Sequence, residues 1–194
     1  MTLTTSAGAV ANSRVVVYVV WYQATRTLTS VTGGGLTWTI DAQAMNTSNF
    51  HVAIASAAAP FGLNPGQVLT ATFSGSVVHG LIAAASYTGI APTAPVDVAA
   101  STSQDGVLAW SANATTTNAN DLVLGWSTID ANATSTPTAP NTEIHDFGDI
   151  NFFSWATSTY RIESAAGVKT INGTWSRNTG STANATLVVA YKAG

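Results

Sequence analysis

The stretch Leu36-Thr-Trp-Thr-Ile40 alternates large apolar residues with threonine, one by one. Successive side chains of a β-strand point to opposite faces, so its three apolar residues share one face and both threonines share the other. The same alternation returns in residues 50–54, 69–73 and 122–126. Such a period of two, rich in aromatic and β-branched residues, predicts half-buried antiparallel strands.

Comparable segments occupy most of the remaining chain. Turn-forming residues such as Gly33–Gly35 and Asn172-Gly173 separate them, and no stretch shows the apolar period of an amphipathic helix. We predict further strands at residues 14–22, 26–32, 79–88, 106–110, 153–163, 168–176 and 183–191. About eleven strands at this spacing predict an all-β fold, a two-sheet antiparallel jelly-roll β-sandwich.

No linker divides the sequence, and 194 residues fit one β domain. We expect a single jelly-roll domain over residues 14–194, preceded by an N-terminal arm or edge strand over residues 1–13. The proline-bearing segments 89–97 and 131–142 are expected to be long connections between the sheets. The longest apolar run, residues 15–22, is much shorter than the ~20 residues that span a bilayer, so no membrane segment is predicted.

Charged residues are scarce. Six Lys and Arg and nine Asp and Glu make up 8% of the chain, against roughly 25% in an ordinary soluble domain. The basic residues stand singly, which argues against nucleic-acid binding, and there is no Cys for a disulfide or a thiolate zinc site. Because hydroxyls and amides lose less on desolvation than charges do, we expect self-association, for example in a closed trimer, or docking on a larger lattice.

No pattern of catalytic residues is present. The densest polar cluster, residues 143–149, combines three carboxylates with His145. A polar loop or strand end is the preferred interpretation, and a cation site is the second. His51 and His79 have no nucleophile or carboxylate at motif spacing. Five aspartates lie mostly at predicted turns or strand ends, namely Asp41, Asp97, Asp105, Asp121 and Asp130. Enzymatic activity, a bound metal and a cofactor are therefore not predicted.

The six tryptophans differ in their strand phase. Trp38 and Trp126 are in phase with aliphatic neighbours, which predicts burial. Trp155 shares its face with threonines and follows an apolar pair, so it is the best candidate for an exposed aromatic residue. The predicted interface residues are Phe152, Phe153 and Trp155, with Leu3 and Val10 of the arm.

The order of the sequence blocks resembles one family. The blocks are Arg14–Trp21, Leu28–Thr39, Phe73–Val77, Ala83–Asp97, Ala114–Trp126 and Thr174–Lys192. In this order they resemble, over nearly the whole chain, the jelly-roll module of tailed-phage structural proteins and bacterial surface proteins. The resemblance implies a jelly-roll fold and a non-enzymatic structural role.

The resemblance also implies a virion component: a phage capsid decoration protein, a minor capsid protein or a tail component. Its partners would be copies of itself and a capsid or tail lattice. The N-terminal residues lack the features of a signal peptide, which favours assembly in the host cytoplasm. Two alternatives stay open. One is a carbohydrate-binding or adhesive module at the cell surface, stacking glycans on Trp155, Trp110 or Tyr160. The other is a surface-filament subunit joined by strand addition through the arm.

Overall fold

The computed structural model describes residues 1–149 and 154–194 and shows an all-β protein of several antiparallel sheets. Within these residues there is no helix, and so none with the length and apolarity needed to cross a membrane. The strands are β1 (Thr2–Thr4), β2 (Ser13–Tyr22), β3 (Leu28–Gly33), β4 (Trp38–Met45), β5 (Phe50–Ala59), β6 (Val68–Phe73), β7 (His79–Tyr87), β8 (Val96–Gln104), β9 (Ala109–Thr116), β10 (Asp121–Pro137), β11 (Thr142–Asp149), β12 (Ser154–Glu163) and β13 (Gly167–Tyr191).

Four strands in the order β4-β5-β2-β7 form a central sheet. Strand β2 is apolar at most positions and is buried over all but its final residue. A strand that is covered on both faces has no need of apolar–polar alternation. Accordingly, Val16 and Tyr18 pack against one neighbouring sheet, whereas Val17 and Val19 pack against another. The protein is therefore built in three layers, with the central sheet in the middle.

A three-stranded sheet in the order β1-β6-β3 covers one face of the central sheet. Leu28 of β3 and Leu69 of β6 pack there with Trp21 of β2. The N-terminal ammonium of Met1 donates a hydrogen bond of 2.9 Å to the carbonyl oxygen of Ala71. The first residues of the chain are thus held within this layer.

A six-stranded sheet covers the opposite face. Five of its strands follow the order β11-β12-β10-β13-β8, and β9 also pairs with β13. Trp126 of β10 is fully buried in this interface. Its indole Nε1 donates a hydrogen bond of 2.9 Å to the carbonyl oxygen of Val19 in the central sheet. This bond ties the two layers together in the middle of the core.

Strand β13 is long enough to enter this sheet twice. Its residues 167–174 pair with β9, and its residues 184–191 pair with β8. The sheet folds back on itself, so that Ile171 of the first half lies on Gly125, the register partner of Val188 in the second half. A Cβ atom at Gly125 would collide with the Ile171 side chain. Glycine is therefore required here by close packing.

The predicted all-β, antiparallel character is confirmed, but the strands form three sheets where the sequence predicts two. The sequence predicts a loop at residues 131–142, yet residues 131–137 continue β10. Ala131 and Ala133 are buried against the β9 side of the fold while Thr134 is exposed. The strand alternates normally, but its inward residues are too small to give an apolar signal.

Three further differences concern strands β8, β9 and β11. Strand β8 runs on from the predicted connection at residues 89–97, and β11 occupies the predicted polar cluster at residues 143–149. Strand β9 begins near the end of the segment predicted at 106–110 and extends to Thr116. In β8 and β9 many inward positions hold alanine or threonine, such as Ala112 and Ala114, so that pattern recognition based on large aliphatic residues misses them. In β11 the residues that pack on the core are Ile144 and Phe147, and a register shift just before His145 breaks their alternation. The segments predicted at 168–176 and 183–191 are parts of the single strand β13.

Candidate functional site

The outermost strands of the three layers meet on one side of the molecule. Strands β1, β7 and β11 each end the strand order of their own sheet. Residues of all three border a groove of about 490 Å³, which is also lined by the chain segment that follows β1. Leu3, Leu63 and Leu81 contribute apolar surface to the groove, and His145 and Phe147 of β11 line it as well. The groove thus gives access to the edge of the central sheet.

The outer edge of β7 is not paired with any described strand. The strand reads His79-Gly-Leu-Ile-Ala-Ala-Ala-Ser-Tyr87 and contains no Lys, Arg, Asp, Glu or Pro. Its pairing with β2 runs through nine residue pairs without a bulge. Charges, prolines and bulges are the usual means by which proteins prevent an edge strand from pairing with another chain. This edge has none of them.

His145, which lines the groove, is held in place by contacts with neighbouring side chains. His145 Nδ1 lies 2.7 Å from Ser158 Oγ, and its ring meets the rings of Tyr18 and Phe147 edge to face. Burial lowers the pKa of His145 below its ordinary value, which keeps the imidazole neutral at pH 7. Ser158 is itself fully buried. The pair therefore packs the groove wall and has no nucleophile exposed to a substrate.

The predicted polar cluster at residues 143–149 does not converge on one point. Glu143 is exposed, whereas Asp146 is half-buried and its Oδ2 accepts a hydrogen bond of 3.1 Å from the backbone N–H of Ser135. A register shift between Glu143 and His145 further separates the directions in which their side chains point. Within the described residues, no three or more His, Cys, Asp or Glu side chains gather in a manner that could hold a metal ion.

A polar network closes one end of the core between the central and six-stranded sheets. Arg14 of β2 is 7% exposed. Its Nη1 donates to Ser56 Oγ at 3.1 Å and its Nη2 to the carbonyl oxygen of Pro92 at 3.3 Å. The Tyr191 hydroxyl donates to Asp41 Oδ2 at 2.6 Å. Burial raises the pKa of Asp41, although its hydrogen bonds and the nearby guanidinium oppose this.

The network borders a surface cavity of about 440 Å³ that Thr37, Thr39 and Pro95 also line. Its donors and acceptors mostly satisfy one another, and it contains no activated nucleophile. Its evident role is to satisfy polar groups at the end of the core. The sequence does not reveal this network, because Arg14 precedes an apolar run and its partners lie far away in the chain.

The predicted interface residues have different environments. Phe152 and Phe153 lie outside the described residues. Trp155 is half-buried and packs against the cluster of Trp110 and Trp175. Leu3 is half-buried in β1, where it pairs with Leu69, and Val10 is 66% exposed.

A residue that the sequence does not single out is the most exposed aromatic side chain in the described chain. Phe61 is 96% exposed in the turn Pro60-Phe61-Gly62. This turn lies against Val10, since a Cβ atom on Gly62 would be 3.3 Å from the Val10 carbonyl carbon. The sequence feature that indicates this exposure is an aromatic residue between two turn-forming residues, because burial is difficult at such a position. Phe61 and Val10 form an apolar corner next to the groove segment at Ala9 and Leu63.

The tryptophans favour packing over ligand stacking. Trp110, Trp126 and Trp175 are all buried, so their rings are covered by protein. The burial of Trp126 agrees with the sequence prediction. Trp38 is partly buried, and it packs against two core clusters. His51 is a buried, hydrogen-bonded imidazole, stacked on Trp21 with its Nε2 at 3.0 Å from the Gln23 carbonyl oxygen. Of the aromatics considered for glycan stacking, Trp110 has no accessible face.

Comparison of the chain with models of known protein families, with curated proteins and with solved structures gives no match.

Proposed function

We propose that this protein is a non-enzymatic structural subunit of a phage virion, built on a jelly-roll module and acting as a capsid decoration, minor capsid or tail component. The observation that carries this proposal is the unprotected outer edge of β7 beside an apolar groove. Such a surface is suited to binding another β-strand. The resemblance of the sequence blocks to phage structural proteins directs the proposal to a virion.

The outer edge of β7 over residues 80–87 is a hazard for an isolated protein, because backbone groups at the edge of a sheet form hydrogen bonds with any exposed strand they meet. In an assembly, the same groups bind a neighbouring subunit by β-strand addition. The occupant we propose is a second copy of this chain. The groove presents no ionised side chain in its lining that would select a partner of opposite charge.

The sheet order supports an edge-to-edge contact between copies. Strands β4 and β7 lie at opposite ends of the central sheet and run in opposite directions, because each neighbouring pair between them is antiparallel. The β7 edge of one copy can therefore meet the β4 edge of the next as an antiparallel neighbour. A contact between two different edges is heterologous, and it forms a ring when its rotation closes. A trimer is the simplest ring that avoids a two-fold contact.

The apolar corner extends this contact surface. Phe61 and Val10 expose large apolar side chains close to the groove. Exposed aromatic residues at the centre of an interface often supply a large share of its binding energy. With only 8% charged residues, the surrounding surface loses little on desolvation. Burial of this region against a shell or another subunit is thus favourable.

Light scattering on the full chain tests the contact. Ser86 is exposed in β7 and lines the groove, so Ser86→Lys places a charge on the edge without disturbing the core. We expect the wild-type oligomer to dissociate in this variant. Ser103→Lys is the matched control, since Ser103 is exposed in β8 at the other end of the six-stranded sheet from β11. A wild-type monomer at high concentration, or equal effects of both substitutions, would contradict the proposed contact.

Mass spectrometry of density-purified phage particles tests the virion assignment. We expect the chain in the particles at a stoichiometry that matches a symmetric shell or tail position. Phe61→Ser should reduce its incorporation, whereas Ile162→Ser should not, because Ile162 is similarly exposed, at 74%, on β12. A chain abundant in the lysate but absent from the particles would contradict a virion role.

A further inference from the structure

One carboxylate in the structure is buried without a hydrogen-bond donor of its own. Asp121, the first residue of β10, is 0% exposed. No N–H or hydroxyl group of the described residues donates a hydrogen bond to either of its carboxylate oxygens, and the group that they meet is the carboxyl of Asp97. Buried polar groups are almost always hydrogen-bonded, and a buried carboxylate without a partner is strongly unfavourable. The position therefore requires an explanation.

A second carboxylate faces the same place. Tyr191 pairs with Val96 and Ala190 with Val98, so Asp97 is the extra residue of a β-bulge in β8. A bulge redirects a side chain that would otherwise follow the strand. Asp97 reaches the loop before β10, where its Oδ2 accepts a hydrogen bond of 2.6 Å from the Thr117 backbone N–H. Its Oδ1 accepts one of 2.8 Å from Asn118 Nδ2.

The two carboxylates are close enough to disturb each other. Burial, then a hydrogen bond shared with the Asp97 carboxyl and the charge of Asp97, raise the pKa of Asp121 to about 6, and Lys169 and Lys192 only partly oppose this. Lys169 is already bound to Glu163, with Nζ 2.7 Å from Oε2. Within the described chain, no Lys or Arg forms an ion pair with either aspartate. Two acidic groups thus meet without a cation that balances them.

We infer that Asp97 and Asp121 bind a Ca²⁺ ion at the junction of β8, β10 and the loop at residues 117–120. Carboxylate, hydroxyl, amide and main-chain oxygens are the ligands that Ca²⁺ takes, in a flexible arrangement. Asp121 supplies two oxygens that receive no N–H or hydroxyl donor, and Asp97 supplies a carboxylate from the bulge. The ion would take the place of the proton that the two carboxyls otherwise share. Asp97 is half-exposed, which leaves room for water ligands on the outer side.

The character of the loop favours Ca²⁺ over Mg²⁺. Mg²⁺ requires nearly octahedral geometry and retains several waters, whereas Ca²⁺ accepts irregular sets of protein oxygens. Here one carboxylate is fully buried, and the other is oriented by Thr117 and Asn118. This site stands independently of the proposed virion role, since it depends on neither the β7 edge nor the apolar corner.

Calorimetric titration of the EDTA-treated full chain with CaCl₂ tests the site. We expect one equivalent of Ca²⁺ to bind and the thermal unfolding midpoint to rise with Ca²⁺ concentration, as for any ligand of the folded state. Asp121→Asn should weaken binding by at least about 10- to 100-fold, since even indirect partners of a metal have effects of that size. Without Ca²⁺, this variant should unfold at a higher temperature than the wild type, because it removes the unbalanced buried charge.

Asp105→Asn is the matched control. Asp105 is exposed, and its Oδ1 accepts a hydrogen bond of 2.8 Å from the Gly106 N–H, so its replacement should leave the Ca²⁺ response unchanged. If the wild-type chain shows no heat of binding and no Ca²⁺-dependent shift in midpoint, the two aspartates share a proton instead and the inference is wrong. It is equally wrong if Asp121→Asn binds Ca²⁺ as tightly as the wild type.

Discussion

Replacing Gly125 with alanine tests the folding-back of the six-stranded sheet. The new Cβ atom would collide with the Ile171 side chain and would lie 2.6 Å from Thr159 Oγ1. Both neighbours are buried in tightly packed strands. Overpacking of this kind lowers the free energy of unfolding by about 1–3 kcal/mol. We therefore expect a clear decrease in the urea midpoint with an unchanged slope.

The double variant gives the sharper measurement. Ile171→Ala alone creates a cavity and should lower the free energy of unfolding by about 2–5 kcal/mol. It also removes the Ile171 atom that collides with the new methyl group, so that the close contact with Thr159 Oγ1 is the one that remains. The effects of Gly125→Ala and Ile171→Ala should therefore be non-additive, with the double variant more stable than their sum by at least about 1 kcal/mol.

A glycine in open space, Gly89, serves as the control for this double-mutant cycle. Gly89 has a φ of +73°, and no atom beyond its chain neighbours lies within 4 Å of the position that a Cβ atom would take. Gly89→Ala should cost about 1 kcal/mol through backbone strain alone, and its effect should add to that of Ile171→Ala. Additive effects of Gly125→Ala and Ile171→Ala, to within about 0.5 kcal/mol, would show that the first half of β13 does not press against β10 at this point.

Two further predictions concern the core and the pH dependence of stability. Trp126→Phe removes the donor to the buried carbonyl of Val19 and should lower the free energy of unfolding by about 1–3 kcal/mol in urea titrations. Burial alone would raise the pKa of Glu163, but hydrogen bonds from Lys169 and Arg161 outweigh it and lower the pKa. The resulting stabilisation is present above the ordinary pKa of glutamate and is lost as the pH falls through the lowered value. Glu163→Gln should therefore flatten the loss of stability in acid, and an unchanged acid titration would contradict this.

The buried positions of the fold can be predicted from the sequence better where the side chains are large than where they are small. The apolar run of β2 and the position of Trp126 follow directly from residue type and alternation, because these side chains can be stabilised only by burial. The extent of β8 and β9 does not follow. Alanine and threonine occur on either face of a strand, so their pattern does not indicate which face is buried.

The candidate sites depend on contacts between distant residues. Asp97 and Asp121 are separated by a whole strand and meet through a β-bulge, which no local pattern encodes. Arg14 and Asp41 belong to different strands, and both depend on the far end of β13. The groove forms because the edge strands of three different sheets lie next to one another. The sequence could predict an edge strand at β7, but not that the neighbouring layers would leave it accessible.

The three-layer arrangement has a consequence for how the chain folds. The bond between Tyr191 and Asp41 joins residues 150 positions apart, and the bond from Asn46 to the Ala183 carbonyl joins residues 137 apart. Proteins dominated by such non-local contacts fold in about milliseconds to seconds, since long loops must close before the contacts stabilise the structure. During that time both apolar faces of the central sheet lack their covers. Newly made chains would then be prone to mispairing. The yield of folded protein should therefore depend on the rate of synthesis and rise when chaperones are present.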